Sequence, residues 1–140
     1  MKLKKLFSIL LAVVLAFTMA VSVSASKRLD INGQIVIGVL EWSGTPESNE
    51  TLTATTKMRF SDPAYGLQAT LSGSYELYDG TRGDTGTRTS GVWYGTVPPE
   101  VSINVNILDG HWVQGNARYD AYYGNQHTTA YETKTWHNNN

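Results

Sequence analysis

Three segments of this 140-residue chain alternate apolar and polar side chains with a period of two. In the first, Leu52, Ala54, Thr56, Met58 and Phe60 alternate with Thr51, Thr53, Thr55, Lys57 and Arg59. In the second, Tyr65, Leu67, Ala69, Leu71, Gly73, Tyr75 and Leu77 share one face, with Gln68, Thr70, Ser72, Ser74 and Glu76 on the other. In the third, Val101, Ile103, Val105 and Ile107 alternate with Ser102, Asn104 and Asn106. A repeat of two places one set of side chains on one face of a strand, whereas a helix needs a repeat near 3.6. Each segment is therefore read as a half-buried strand whose apolar face must cover another layer.

Four further segments read as strands. Ile35 to Trp42 is apolar on both faces, as a central strand would be, and Gly91 to Val97 is short and aromatic. Trp112 to Tyr123 and Thr128 to Trp136 are rich in Tyr, Thr and Trp, which suit a pleated surface. Turn residues separate them: Ser61-Asp62-Pro63, Asp79-Gly80, Pro98-Pro99, Asp109-Gly110 and Gly124-Asn125. No segment after residue 25 has helical periodicity. About seven strands at this spacing predict an all-β fold, an antiparallel β-sandwich or small barrel. Thr45 to Glu50 and Asp79 to Ser90 read as polar loops. The second has no large apolar side chain, and a loop of that length is where a site is expected.

The N-terminus reads as an export signal. Lys2, Lys4 and Lys5 precede an apolar run from Leu6 to Val21, and Val23-Ser24-Ala25 has the small residues a signal peptidase accepts. The run is about 16 residues, short of the roughly 20 that span a bilayer, so stable membrane insertion is not expected. The expected arrangement is a signal peptide over 1–25, cleaved after Ala25, and one secreted domain over 26–140. The chain has no cysteine, so that domain must rest on its core alone. Without Lys2, Lys4 and Lys5 the 11 basic and 12 acidic residues become eight against twelve, a net charge of −4. That balance offers nothing to nucleic acid or anionic lipid.

Catalytic signals are weak. No G-x-S-x-G elbow occurs, and His111, His127 and His137 lie near turns or in the tail. The carboxylates are scattered; Glu76 and Asp120 are the strand-borne pair that would have to share a groove for glycoside hydrolysis. No histidines stand at metal-ligand spacing, and Asp79 and Asp84 do not follow a calcium-loop pattern. The chain is read as a non-enzymatic protein without metal or cofactor. Arg82-Gly83-Asp84 spells the integrin-binding tripeptide, which a stretch built from Gly, Asp and Arg produces by composition. Aromatic content says more. Trp42, Trp93, Trp112, Trp136, eight tyrosines and Phe60 fall after residue 25. Tyr122 and Tyr123 are adjacent, so one of them must lie outside the core. Exposed aromatic rings stack on sugars or anchor protein interfaces.

The stretch Asp79 to Val97 reads DGTRGDTGTRTSGVWYGTV. It resembles the segment of lactococcin 972-type bacteriocins in which a Gly/Arg/Asp/Thr-rich loop runs into an (A/S)-G-V-W strand, here Ser90-Gly91-Val92-Trp93. The tyrosine-rich Tyr119 to Tyr123 is similar to the aromatic end of those proteins. The resemblance implies an exported, cysteine-free β-sandwich that binds the wall precursor lipid II and blocks septum formation in related bacteria. This chain departs from that pattern in its negative charge and in an added N-terminal region, Ser26 to Phe60.

The expected function is therefore a secreted binding protein of the bacteriocin type, acting at the envelope of related Gram-positive bacteria. A carbohydrate- or wall-binding module with an aromatic platform, or a secreted inhibitor or host-interaction protein, are the alternatives. The expected partner is a cell-wall precursor or carbohydrate. The candidate ligand-binding residues are Arg82 and Arg88, whose planar forks suit a pyrophosphate or carboxylate, and Trp93 and Tyr94, which can stack on a sugar ring. On one strand Trp93 and Tyr94 point to opposite faces, so only one of them is expected to serve the site.

Overall fold

The alternating segments pair into two antiparallel sheets in the computed structural model, which describes residues 26–43, 50–59, 61–95, 100–107 and 112–137. The first sheet has the order β1 (Lys27–Ile31), β2 (Gln34–Ser43), β3 (Glu50–Met58) and β7 (Glu100–Ile107). The second has the order β5 (Arg82–Thr89), β4 (Tyr65–Glu76), β8 (Trp112–Tyr123) and β9 (Gln126–His137), and the two-residue β6 (Trp93–Tyr94) also pairs with β4. The sheets pack face to face as a sandwich, with β1 beside β9 on one flank and β7 beside β4 and β5 on the other. The proposed signal peptide lies outside the described residues.

The core forms where the period-two faces meet. Val36 and Leu40 from β2 and Leu52 and Ala54 from β3 face Leu67, Ala69 and Leu71 from β4 and Val113, Ala117 and Tyr119 from β8, all buried. Trp42 and Trp136 close one end with ring centroids 6.0 Å apart, and Tyr65 and Tyr123 close the other at 4.6 Å. Gly38 in β2 makes room for the Tyr119 ring, because a Cβ there would collide with it. Hydrogen bonds cross between the sheets: Thr56 Oγ1 donates to the Gln68 carbonyl at 2.8 Å, Lys134 Nζ donates to the Leu40 carbonyl at 2.8 Å, and Asn32 in the β1–β2 turn donates through Nδ2 to the Tyr65 hydroxyl at 3.0 Å. Such bonds satisfy polar groups that the packing of two sheets would otherwise strand.

The described residues hold nine strands where about seven were expected, and two differences have physical causes. The hairpin β1–β2 was not anticipated. Its turn is Asn32-Gly33, with φ of 44° and 75°, the left-handed pair that a tight hairpin requires. Asp79 to Ser90, expected as a loop, is mostly strand β5. A short turn carries the chain from Leu77, whose amide donates to the Thr81 carbonyl at 2.8 Å, and Asp79 accepts the Thr81 amide at 2.9 Å. Strand β5 lies at a sheet edge with neither face buried, so it needs no apolar side chain. Its alternate threonines, Thr85, Thr87 and Thr89, supply the β-branched preference instead. A register shift in its pairing with β4 between Ser72 and Ser74 leaves the Gly73 amide to Thr85 Oγ1 at 2.9 Å. Backbone pairing puts Val101, Ile103, Val105 and Ile107 on β7, as expected, while their side chains lie outside the described residues.

Candidate binding face on the five-stranded sheet

Because inward and outward residues alternate, one register row across the second sheet fixes the outer face. Tyr94 on β6 opposes Gly66 on β4, Gly66 opposes Tyr122 on β8, and Tyr122 opposes His127 on β9. The Tyr94 ring fills the space over Gly66, where an added Cβ would stand 2.7 Å from its Cζ and 2.9 Å from Val92 Cγ1. The Tyr122 and His127 rings stack with centroids 4.4 Å apart and planes 6° from parallel. Tyr122 hydroxyl donates to Gln68 Oε1 at 3.0 Å, which fixes the ring. Tyr123 turns inward onto Tyr65, so the two adjacent tyrosines divide between core and surface as their spacing requires.

The next row holds Asp120, whose side chain is 1% exposed although it sits on the outer face. Its Oδ1 accepts from Arg118 Nε at 3.1 Å, Arg118 Nη2 at 2.9 Å, Thr129 Oγ1 at 2.7 Å and His127 Nε2 at 2.7 Å. A carboxylate only accepts, so His127 carries its proton on Nε2. Burial acts to raise the Asp120 pKa, but the bonds from Thr129, Arg118 and His127 outweigh it and hold the carboxyl below its ordinary value. Among the described residues Oδ2 is buried without a hydrogen-bond partner. A hydrolytic relay needs one imidazole nitrogen on the acid and the other on the nucleophile. Here Asp120 and Thr129 both meet Nε2, so this cluster supports side chains and does not activate one. Glu76 lies eight residues along β4 from the Asp120 row, about 26 Å at the usual strand rise, too far for paired-carboxylate chemistry.

The four residues expected to form the site do not converge. Arg82 Nε binds Glu76 Oε2 at 2.6 Å, ten residues along β4 from Gly66, or about 33 Å from Tyr94. Arg88 opposes Leu71 and is exposed on the rim of β5. Arg82-Gly83-Asp84 is in strand, with Asp84 Oδ1 accepting the Gly86 amide at 3.0 Å. Trp93 and Tyr94 do point to opposite sides, yet both stand in solvent because β6 is a two-residue edge strand, with exposures of 55% and 57%. Val92 before them is also exposed, at 40%. Trp93 Nε1 donates to the Ser90 carbonyl at 2.9 Å, which holds the indole over the preceding turn. Large apolar side chains that remain exposed and are held in place are the mark of a contact surface.

Sequence reasoning weighed Asp120 and His127 only as catalytic or metal candidates, did not single out Arg118, and did not bring the four residues Arg118, Asp120, His127 and Tyr131 together. Arg118 and Asp120 are a same-face pair two residues apart, which was legible. Their meeting with His127 and Tyr131 depends on the β8–β9 register. No family model matches the chain, and no curated protein sequence matches it.

Proposed function

We propose that this chain is exported after cleavage at Ala25 and works as a non-enzymatic binding domain for a glycan of the bacterial envelope. The ligand would lie on β6 and the outer face of β4, β8 and β9. The observation that carries this reading is the run Val92-Trp93-Tyr94: three consecutive large side chains held in solvent, with Tyr94 seated on Gly66 beside the Tyr122–His127 stack. Tyrosine and tryptophan offer flat rings at low entropic cost. The neighbouring Gln68, Arg118 and Thr129 supply hydrogen-bonding groups of the kind that fix sugar hydroxyls.

Co-sedimentation with insoluble envelope polysaccharide tests it. The parent should pellet with the polymer, and Trp93→Ala/Tyr94→Ala should bind at least about tenfold more weakly, as loss of interface anchors does. A doubly substituted protein that binds like the parent would remove β6 from the site.

A killing activity is the second reading. The observation that favours it is that Ser90-Gly91-Val92-Trp93, the motif shared in kind with the lactococcin 972-type bacteriocins, coincides with the exposed run. Growth inhibition on lawns of related Gram-positive bacteria, lost in Trp93→Ala/Tyr94→Ala, would mark the bound glycan as a wall precursor.

A further inference from the structure

Arg118 repeats the pairing that Arg28 makes with Asp30 two residues on, but its carboxylate partner is buried where Asp30 is exposed. Its Nε and Nη2 both lie on Oδ1 of Asp120, and that oxygen is itself held by Thr129 and His127. The guanidinium is therefore fixed in position while its side chain remains 42% exposed. Among the described residues Nη1 has no hydrogen-bond partner. The plane of the group approaches the Tyr131 ring, with Cζ 6.0 Å from the centroid, and Tyr131 is 68% exposed. In register, Arg118 lies between Thr70 on β4 and Tyr131 on β9, and with its Nε–Nη2 side taken up by Asp120 the Nη1–Nη2 edge is the one left for a ligand.

A guanidinium edge is a pure donor of two parallel N–H groups. A sugar hydroxyl offers such an edge one oxygen, whereas a carboxylate offers two at matching spacing. Arg118 forfeits little rotamer freedom on binding, because Asp120 already holds it. Tyr131 gives the ring that bears the carboxylate a flat surface beside the fork.

Resting on the glycan-binding reading above, we infer that this face selects a carboxylated glycan, a polymer or oligomer of uronic acid type, whose carboxylate pairs with the exposed Nη1–Nη2 edge of Arg118. The Arg118–Asp120 pair is formally neutral together, so the selectivity comes from short-range hydrogen bonds and not from a positive field.

The test compares two forms of one ligand on the unaltered protein: oligogalacturonate, and the same oligomer with its carboxylates methyl-esterified. Titration calorimetry should show the acid form binding at least about tenfold tighter than the ester, the effect of one charge-assisted bidentate contact. Arg118→Gln should bind both forms as weakly as the parent binds the ester. Arg118→Lys, which keeps a cation beside Asp120 but loses the fork, should retain only part of the preference. Thermal melts of both variants check that the fold survives. Equal binding of acid and ester by the parent would overturn the carboxylate inference and leave the glycan reading standing. So would binding of neutral envelope glycans with no binding of oligogalacturonate. Absence of binding to any glycan in a panel would overturn both.

Discussion

Inside the sandwich the Tyr119 hydroxyl donates to Glu132 Oε2 at 2.7 Å, placing a carboxylate against the apolar core. Lys134 Nζ stands 3.3 Å from the other oxygen of Glu132 and donates onward to the Leu40 carbonyl on the opposite sheet. Tyrosine, glutamate and lysine thus form one satisfied chain, and breaking it anywhere leaves a buried polar group short of a partner. Tyr119→Phe should cost about 1–3 kcal/mol. Lys134→Met should cost more, because it leaves a buried carboxylate without its cation. Urea titrations of the two variants measure the difference.

Burial first, and then the bond and charge of Glu132, push the Tyr119 pKa far above its ordinary value. The unfolded chain releases this proton near pH 10, while the folded chain keeps it. The unfolded state then binds fewer protons, so stability falls as pH rises above about 10, by up to about 1.4 kcal/mol per unit for this group. Tyr119→Phe should be less stable at neutral pH yet show a shallower alkaline decline. Equal slopes in parent and variant would refute the assignment.

Asp120 acts at the other end of the scale. Its folded pKa is lowered, so its contribution is present above the ordinary carboxylate range and is lost as pH falls through the folded value. Asp120→Asn should flatten the acid limb of the stability curve below about pH 4. It should also free the Arg118 fork, which a crystal structure of the variant would show as a changed rotamer.

Gly38→Ala tests how closely the sheets approach. The added methyl would meet the Tyr119 ring, which is itself tied to Glu132 and cannot swing away freely. A loss of about 1–3 kcal/mol is expected from overpacking. Leu40→Ala and Leu52→Ala, which leave cavities, should each cost about 2–5 kcal/mol. Thr53→Ala, on the outward face of β3, should cost little, and thermal unfolding of the set ranks them.

Arg82→Ala/Arg88→Ala should leave binding to envelope polysaccharide unchanged, since neither side chain reaches the row through Tyr94 and Tyr122. Binding lost with the fold intact would return β5 to the site.

The strands that were legible are those with one face buried: β4 carries its alternation from Tyr65 through Tyr75, and the structure buries that face with only its last residues half-exposed. Strand β5 was not legible, because apolar periodicity reports burial and an edge strand exposed on both faces has none to report. The β1–β2 hairpin has a local sequence signal in the dipeptide Asn32-Gly33 itself. Trp93 and Tyr94 stand out in the sequence as aromatic residues directly after a turn, and the structure leaves both exposed. The Asp120 cluster was not legible, since its partners lie up to nine residues apart across the β8–β9 hairpin. A lone acid on a strand looks like a soluble surface charge until the register brings Arg118, His127 and Thr129 onto it.

The register shift beside Ser72 and Ser74 has a consequence for how this sheet edge meets other copies of the chain. An exposed sheet rim is a template on which another copy can add a strand, and that is how soluble sandwiches seed fibrils. The rim of β5 is interrupted by that bulge and studded with Arg82, Asp84 and Arg88, all exposed. A neighbouring chain that tried to extend the sheet there would meet broken spacing and charge. Replacing Arg82 and Arg88 with valine should therefore turn a clear solution into one that forms thioflavin-positive aggregate.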